Sequence, residues 1–371
     1  MSTSFGFPLL KLPLLALETL VNLMSPDTVL GLSLHSKVFK TRLSIVKWKI
    51  ELFKWILKYN RIGVIIKSHL GNSNFSIESP TELDGLVREE DIQVKIINLN
   101  GTTVSLVKCI GFNGVEEFLI SKKFDSSNKY IKLNSRLDTL ENLTNFFMSF
   151  VKCSKFKLEY SLEENLLTED LFIWKYLNGN PINLEVSSGM DSVVMTPDDI
   201  KFIFGNMKFG QLSLDIRVND PDFIYQGPLE AKGLIIYGDG SWIDLRNVNC
   251  QKVYLDTLFI NSKSIAQALK NWIQGSSMEN LEHLEITDLI EFNPDEISGL
   301  KHGNTSFSHA DIYKQIGYVS YDCVFRDIQR KSDGRWGTVC YKSRWRLYFI
   351  VWTPEKLKKC CQDTRIKLGL E

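Results

Sequence analysis

The chain has 371 residues, 44% of them apolar, and its 44 Lys+Arg offset 44 Asp+Glu for a formal charge of zero. That length passes the point at which one core stops growing, so two or three structural units are expected. Electroneutrality removes the general electrostatic case for a nucleic-acid or anionic-membrane partner and leaves only local patches. The seven cysteines are scattered without a CxxC pair, which predicts reduced thiols and a cytoplasmic and/or nuclear protein. The first residues lack a basic run, and Pro8, Lys11, Pro13 and Glu18 break their apolar stretch, so no signal peptide is read there. No run of about eighteen uncharged apolar residues follows, so no membrane span is expected.

Leu12 to Phe39 is the most apolar part of the chain. Pro13 suits a first helical turn, where its missing N–H is no loss. Leu14, Leu17, Val21 and Met24 then recur at helical spacing, and Leu15, Leu20 and Leu23 widen the surface past one stripe, so this helix must be covered on two sides. Ser25-Pro26-Asp27 marks a second helix start, followed by Val29, Leu30, Leu32 and Leu34. Ser36 can cap a third segment carrying Val38, Phe39 and Leu43. Three short helices expose too much apolar surface to stand alone and read as a docking module.

This stretch resembles an F-box: Leu12-Pro13, Leu17, Leu20, Met24, Pro26, Leu30, Leu32, Ser36, Lys37 and Phe39 fall on its pattern. It departs from that pattern at Leu15, where an acid is frequent, and at Phe39, where tryptophan is common. The resemblance implies a surface for the adaptor Skp1, and through it a cullin ubiquitin ligase, built from Leu12, Pro13, Leu14, Leu17, Leu20, Val21, Met24, Pro26, Leu30 and Leu32. The competing reading is an N-terminal helical subdomain packed on its own chain.

Residues 44–60 place Trp48, Leu52, Trp55, Ile56 and Tyr59 on one helical face among lysines. A linker helix packing its aromatic face on the next domain is expected; the alternative is a basic amphipathic helix for a membrane surface or a calmodulin-like partner. Residues 61–125 hold β-branched runs divided by turn signals, among them Asn100-Gly101 and Asn113-Gly114, which accept positive φ, so a small antiparallel sheet is expected.

Leu137 to Cys153 reads as a helix. Short alternating strands then recur at 156–160, 182–186, 212–216, 234–237, 253–255 and 281–286, with helical or turn segments at Glu169–Leu177, Asp198–Phe204 and Ser264–Ile273. A strand-helix unit repeating every 20 to 30 residues or so is what an irregular leucine-rich-repeat-like region over 135–290 requires. An ordinary mixed α/β domain is the alternative.

Ile265 to Ile286 resembles the type 2 F-box-associated domain of the large nematode F-box group, through Trp272, Ile273, Gly275, Leu281, Glu282, Leu284 and Ile286. The Arg330-Lys-Ser-Asp-Gly-Arg335 turn is similar to that group's own, inside an expected C-terminal β-hairpin over 318–353. Its basic residues (Arg326, Arg330, Lys331, Arg335, Lys342, Arg344, Arg346) interleave with Trp336, Tyr341 and Trp345, the composition of a single-strand nucleic-acid groove and equally of a solvated strand face.

No GxxxxGK[ST], GxGxxG after a strand, GxSxG or HExxH occurs, and the five histidines are isolated. His302 and His309 share a loop with acids but lack metal-ligand spacing. No catalytic, cofactor or metal residue is assigned. The expected fold is α+β / α/β: an F-box-like unit over 1–43, a linker helix over 44–60 and an F-box-associated domain over 61–371. The expected function is a non-catalytic substrate adaptor of a Skp1-cullin-F-box ubiquitin ligase, with a Skp1-like adaptor and an unknown protein substrate as partners and no membrane. The other reading is a structural or binding protein whose first helices pack internally and whose basic hairpin takes a ligand such as nucleic acid.

Overall fold

A computed structural model describes residues 9–58, 61–77, 93–99, 102–110, 116–122, 133–161, 171–177, 181–187, 193–256, 260, 262–287, 305–317, 323–342 and 346–370. The chain is α+β, with mixed sheets, and divides into two units. The first comprises Met1–Glu163 and Phe172–Asn180, the second Glu164–Leu171 and Pro181–Glu371.

The first unit opens with α1 (Leu14–Asn22), α2 (Pro26–His35) and α3 (Lys37–Val46). Pro13 precedes the first helical residue and Pro26 begins α2, where neither removes a needed donor. The Ser36 hydroxyl accepts from the Phe39 amide at 3.1 Å and caps α3. Leu17, Val21, Val29, Leu30, Phe39 and Leu43 are buried and hold the trio together.

Lys47 has φ 56 and ends α3. The chain then runs as β1 (Trp48–Ile50) and β2 (Leu52–Lys58), which corrects the expected linker helix at 44–60. Trp48, Ile50, Phe53, Trp55 and Leu57 are buried, and Lys49, Lys54 and Lys58 keep access to solvent, so a period of two won over the helical stripe. A bend at Glu51 lets both strands bury aromatics.

β3 (Arg61–Ser68), β4 (Gly71–Ile77), β5 (Gln93–Leu99), β6 (Thr102–Ile110) and β7 (Glu116–Lys122) follow. The 61–125 sheet is mixed rather than antiparallel, since β4 and β7 pair in parallel. The Asn100-Gly101 and Asn113-Gly114 corners lie outside the described residues. α4 (Leu133–Met148) ends sooner than expected, and β8 (Val151–Cys153) returns to pair in parallel with β1. β9 (Phe156–Ser161) pairs in parallel with β2, so the strand expected to start the repeats belongs to the first unit. Trp55 Nε1 donates to buried Thr144 Oγ1 of α4 at 3.1 Å. The 3-10 turn Phe172–Tyr176 completes the unit: Tyr176 stacks on Trp55 and bonds Asn145.

The second unit holds β10 (Ile182–Val186), β11 (Val193–Met195), α5 (Pro197–Asn206), β12 (Phe209–Val218), β13 (Ala231–Gly238), β14 (Lys252–Asp256), α6 (Ser262–Gln274) and β15 (His283–Thr287). β10, β12, β13, β14 and β15 pair in parallel in that order. Their register aligns Leu184, Leu212, Leu234, Val253 and Leu284 in one buried row, and Val186, Leu214, Ile236, Leu255 and Ile286 in the next. Helices accompany only some strands: the connections from β12 to β13 and from β13 to β14 contain no α-helix. The repetition therefore lies in the ladder, not in a strand-helix pair.

α7 (His309–Ile316), β16 (Val324–Gln329), β17 (Trp336–Lys342), β18 (Arg346–Trp352), α8 (Pro354–Lys358) and α9 (Gln362–Lys367) close the chain. The expected hairpin is a three-strand meander whose last strand pairs antiparallel with β15. α6 covers one face there, with Trp272 edge-on to Phe349 at 4.9 Å. On the other, Phe307 stacks on Trp352 at 3.9 Å within a cluster that includes Ile312, Ile350 and Cys360.

Candidate functional site

The N-terminal helices divide the expected docking residues between inside and outside. Leu17, Val21 and Leu30 are buried in the trio, whose inner side packs on β1 and β3. Asn22 Oδ1 accepts from the Lys49 amide at 3.0 Å, and Lys49 pairs with Glu18 at 2.8 Å. Pro13 and Leu14 are exposed, while Leu12, Leu20, Met24 and Leu32 are half-buried. Pro26 begins α2. The Arg42 guanidinium donates to the Leu12 carbonyl at 2.9 Å and ties the Leu-Pro start to α3.

The expected docking set leaves out the residues that face out most. Leu15 is 75% exposed and Leu23 61%, four and eight residues along one stripe with Thr19 between them. Val38 and Ile45 are likewise exposed on α3, seven residues apart. The signal was available: Leu15 and Leu23 widen α1 past the one stripe that its own core can cover.

In the second unit the outward face of the parallel ladder carries Glu185, Ser213, Ile235, Tyr254 and Glu285 in one row, and Asp215, Tyr237, Asp256 and Thr287 in the next. Tyr237 and Tyr254 meet edge to face at 6.1 Å, and Thr287 Oγ1 donates to Asp256 Oδ1 at 2.5 Å. Burial, with the Asp256 carboxylate beside it, raises the Tyr254 phenol above its ordinary value. His283, on the same face, lies 6.3 Å from the Tyr348 ring.

Where these strands begin, their leading residues line a groove of about 470 Å³. Lys208, Glu230, Lys232, Asn249, Gln251 and Asn280 supply its polar groups, and Pro181, Met207, Phe209 and Ala231 its apolar ones. Asn249 Oδ1 accepts from the Asn280 amide at 3.3 Å, and the Gln251 carbonyl takes the amides of Glu282 and His283, so the rim is fixed by its own hydrogen bonds. Among the described residues, the side chains of Lys208, Glu230, Lys232 and Gln251 have no hydrogen-bond or ion-pair partner.

The basic hairpin behaves otherwise than its composition alone implies. Arg330 is 4% exposed and grips Asp333 with two guanidinium nitrogens; its Nη1 donates to the Glu279 carbonyl at 3.2 Å, and its Cζ lies 5.4 Å from the Trp272 ring. The Lys331 amide donates to the Ile273 carbonyl at 2.8 Å, at the end of α6. Gly334, at φ 72, closes the turn. Hydrogen bonds from Arg330 hold the Asp333 carboxyl down at about 2. The turn is a clasp between β16, β17 and α6, which removes Arg330 from any nucleic-acid surface. Lys342 lies at the end of β17, and Arg344 and Trp345 lie outside the described residues.

His309 packs edge-on against Phe325 at 4.9 Å. His302 and its neighbouring acids at 295 and 296 are outside the described residues. The six cysteines whose side chains are described are free, and burial raises the thiols of Cys250 to about 12 and of Cys153 and Cys360 to about 11. Among the described residues no helix is long and apolar enough to cross a membrane.

No curated protein and no solved structure matches the chain. A family model described as F-box associated matches residues 230–286, which run from the first residue before β13 through α6 to β15 and contribute Glu230, Ala231, Lys232, Asn249, Gln251 and Asn280 to the groove. The matched segment lies in the middle of the second unit.

Proposed function

We propose that this chain is a non-catalytic substrate adaptor: its first three helices bind a Skp1-like protein, and through it a cullin, while the second unit holds a protein target for ubiquitylation. The observation that carries the reading is the F-box-associated match at 230–286, downstream of helices with an F-box-like sequence and outward leucines. Such an adaptor does no bond chemistry. It raises the effective concentration of a target lysine beside a charged conjugating enzyme. The outward residues Leu14, Leu15, Leu23, Val38 and Ile45 give the helices apolar surface to bury, on the order of 800 Å² per partner for an interface of standard size. The adaptor works in the cytoplasm and/or nucleus, consistent with its free thiols.

The test is a pull-down with recombinant Skp1, comparing wild type with Leu15→Asp/Leu23→Asp. Both substitutions sit on exposed positions, so the fold survives, and circular dichroism verifies it. Retention of the wild type and loss of the variant is the expected result. Failure of the wild type to bind, or equal retention of both, refutes the docking surface.

A further inference from the structure

We infer that the groove at the start of the parallel strands binds an extended acidic peptide, one that places a carboxylate beside an apolar side chain. The inference rests on the adaptor reading and gives the captured target a chemistry. Three features of the groove support it.

The first is charge. Lys208 and Lys232 line the groove with no hydrogen-bond or ion-pair partner among the described residues, against one carboxylate, Glu230. An acidic side chain entering there meets two ammonium groups that lose no existing partner in binding it. A basic side chain meets both as repulsion.

The second is the supply of amides. Asn249, Gln251 and Asn280 come from the loops leading into β14 and β15, and each amide both donates and accepts. That is what a peptide backbone requires, since it presents an N–H and a carbonyl at every residue. Asn249 Oδ1 is taken by the Asn280 amide, which leaves the Asn249 amino group and the side chains of Gln251 and Asn280 for a ligand. The third feature is the apolar lining of Met207, Phe209 and Pro181, which can cover a flanking side chain but gives a charge nothing.

Six of the ten lining residues belong to the segment 230–286 that matches the F-box-associated model. The opening therefore coincides with the part of the second unit that carries the family signature.

Fluorescence anisotropy on the full chain tests this with three fluorescein-labelled peptides: alternating leucine and glutamate, the same with glutamine for glutamate, and the same with lysine. The glutamate peptide should bind, the glutamine peptide about fivefold or more weaker, and the lysine peptide weakest. Lys208→Glu/Lys232→Glu should abolish binding of the glutamate peptide, and Glu230→Gln should tighten it. Lys358→Glu/Lys359→Glu, the same charge change on exposed lysines of the second unit outside the groove, should leave it unaltered. Equal binding of the glutamate and glutamine peptides overturns the proposal, as do no binding of any peptide, indifference to the lysine reversals, or an equal loss in the control pair. The Skp1 pull-down on the same proteins separates the two ideas. Skp1 retained with no peptide bound removes the groove proposal and leaves the adaptor reading standing.

Discussion

Replacing Arg330 by alanine takes apart the clasp that holds the β16–β17 turn to α6. The guanidinium makes a two-point bond to Asp333, donates to the Glu279 carbonyl and lies over the Trp272 ring. Hydrogen bonds involving a charged group contribute about 1.5–3 kcal/mol, and a desolvated cation over an aromatic ring adds about 0.5–2 kcal/mol. The Asp333 side chain is 34% exposed, so it rehydrates when its partner leaves, and the Coulombic part is discounted accordingly. The net expectation is a loss of about 2–3 kcal/mol, read from urea unfolding followed by tryptophan fluorescence. A double-mutant cycle with Asp333→Ala should show a coupling of about 1–2 kcal/mol. Acid supplies a second reading. The Asp333 carboxyl is depressed to about 2 in the folded chain, below its unfolded value of about 3.9, so its stabilisation is complete above that unfolded value and disappears as pH falls toward 2. The stability difference between wild type and Arg330→Ala should therefore shrink across that window. A loss under about 0.5 kcal/mol at neutral pH, or a difference that does not change in acid, refutes the clasp.

Two further pairs of substitutions probe a buried hydrogen bond and a tight turn. Thr144→Val keeps the shape of a buried residue but takes the acceptor from Trp55 Nε1, and should cost about 1–3 kcal/mol by thermal or urea unfolding, while Thr144→Ser should cost less. Gly275→Ala meets both a positive φ of 81° and the Ser332 side chain, whereas Gly317→Ala, at φ 74°, meets open space. The first should destabilise by about 2–3 kcal/mol and the second by about 1 kcal/mol, and equal losses would show that the Ser332 contact is immaterial.

What could be read beforehand depended on how local each signal was. Pro13, Pro26 and the Ser36 cap act within a turn of their own position, and the three helices start where those residues put them. Residues 48–58 satisfy two periods at once: Trp48, Leu52, Trp55 and Ile56 make a helical stripe, and Phe53, Trp55 and Leu57 a strand face. The partner strands decided between them: β3, next in the chain, pairs antiparallel with β2, and β9 at Phe156–Ser161, about a hundred residues on, pairs on its other side and has no local signature. The later strands were legible because each alternates in its own right, and their common register follows from burying one apolar row against the next. The groove was not, because its residues lie at the starts of five separate strands and become neighbours only once those strands align. Asn249, Gln251 and Asn280 read singly as ordinary turn residues.

The order of the chain through the two units limits how the protein can be divided. The first unit ends its main run at Glu163, yet takes back Phe172–Asn180 after the chain has already contributed Glu164–Leu171 to the second. A single cut at any position between them strands a piece: stopping at Glu163 deprives Trp55 of Tyr176 and Glu141 of Lys175. Starting at Pro181 deprives the second unit of buried Leu171. Gene fusions that transplant the second unit onto another carrier should therefore keep residues 164–180 whole, and a protease nick within that stretch should leave the two fragments associated.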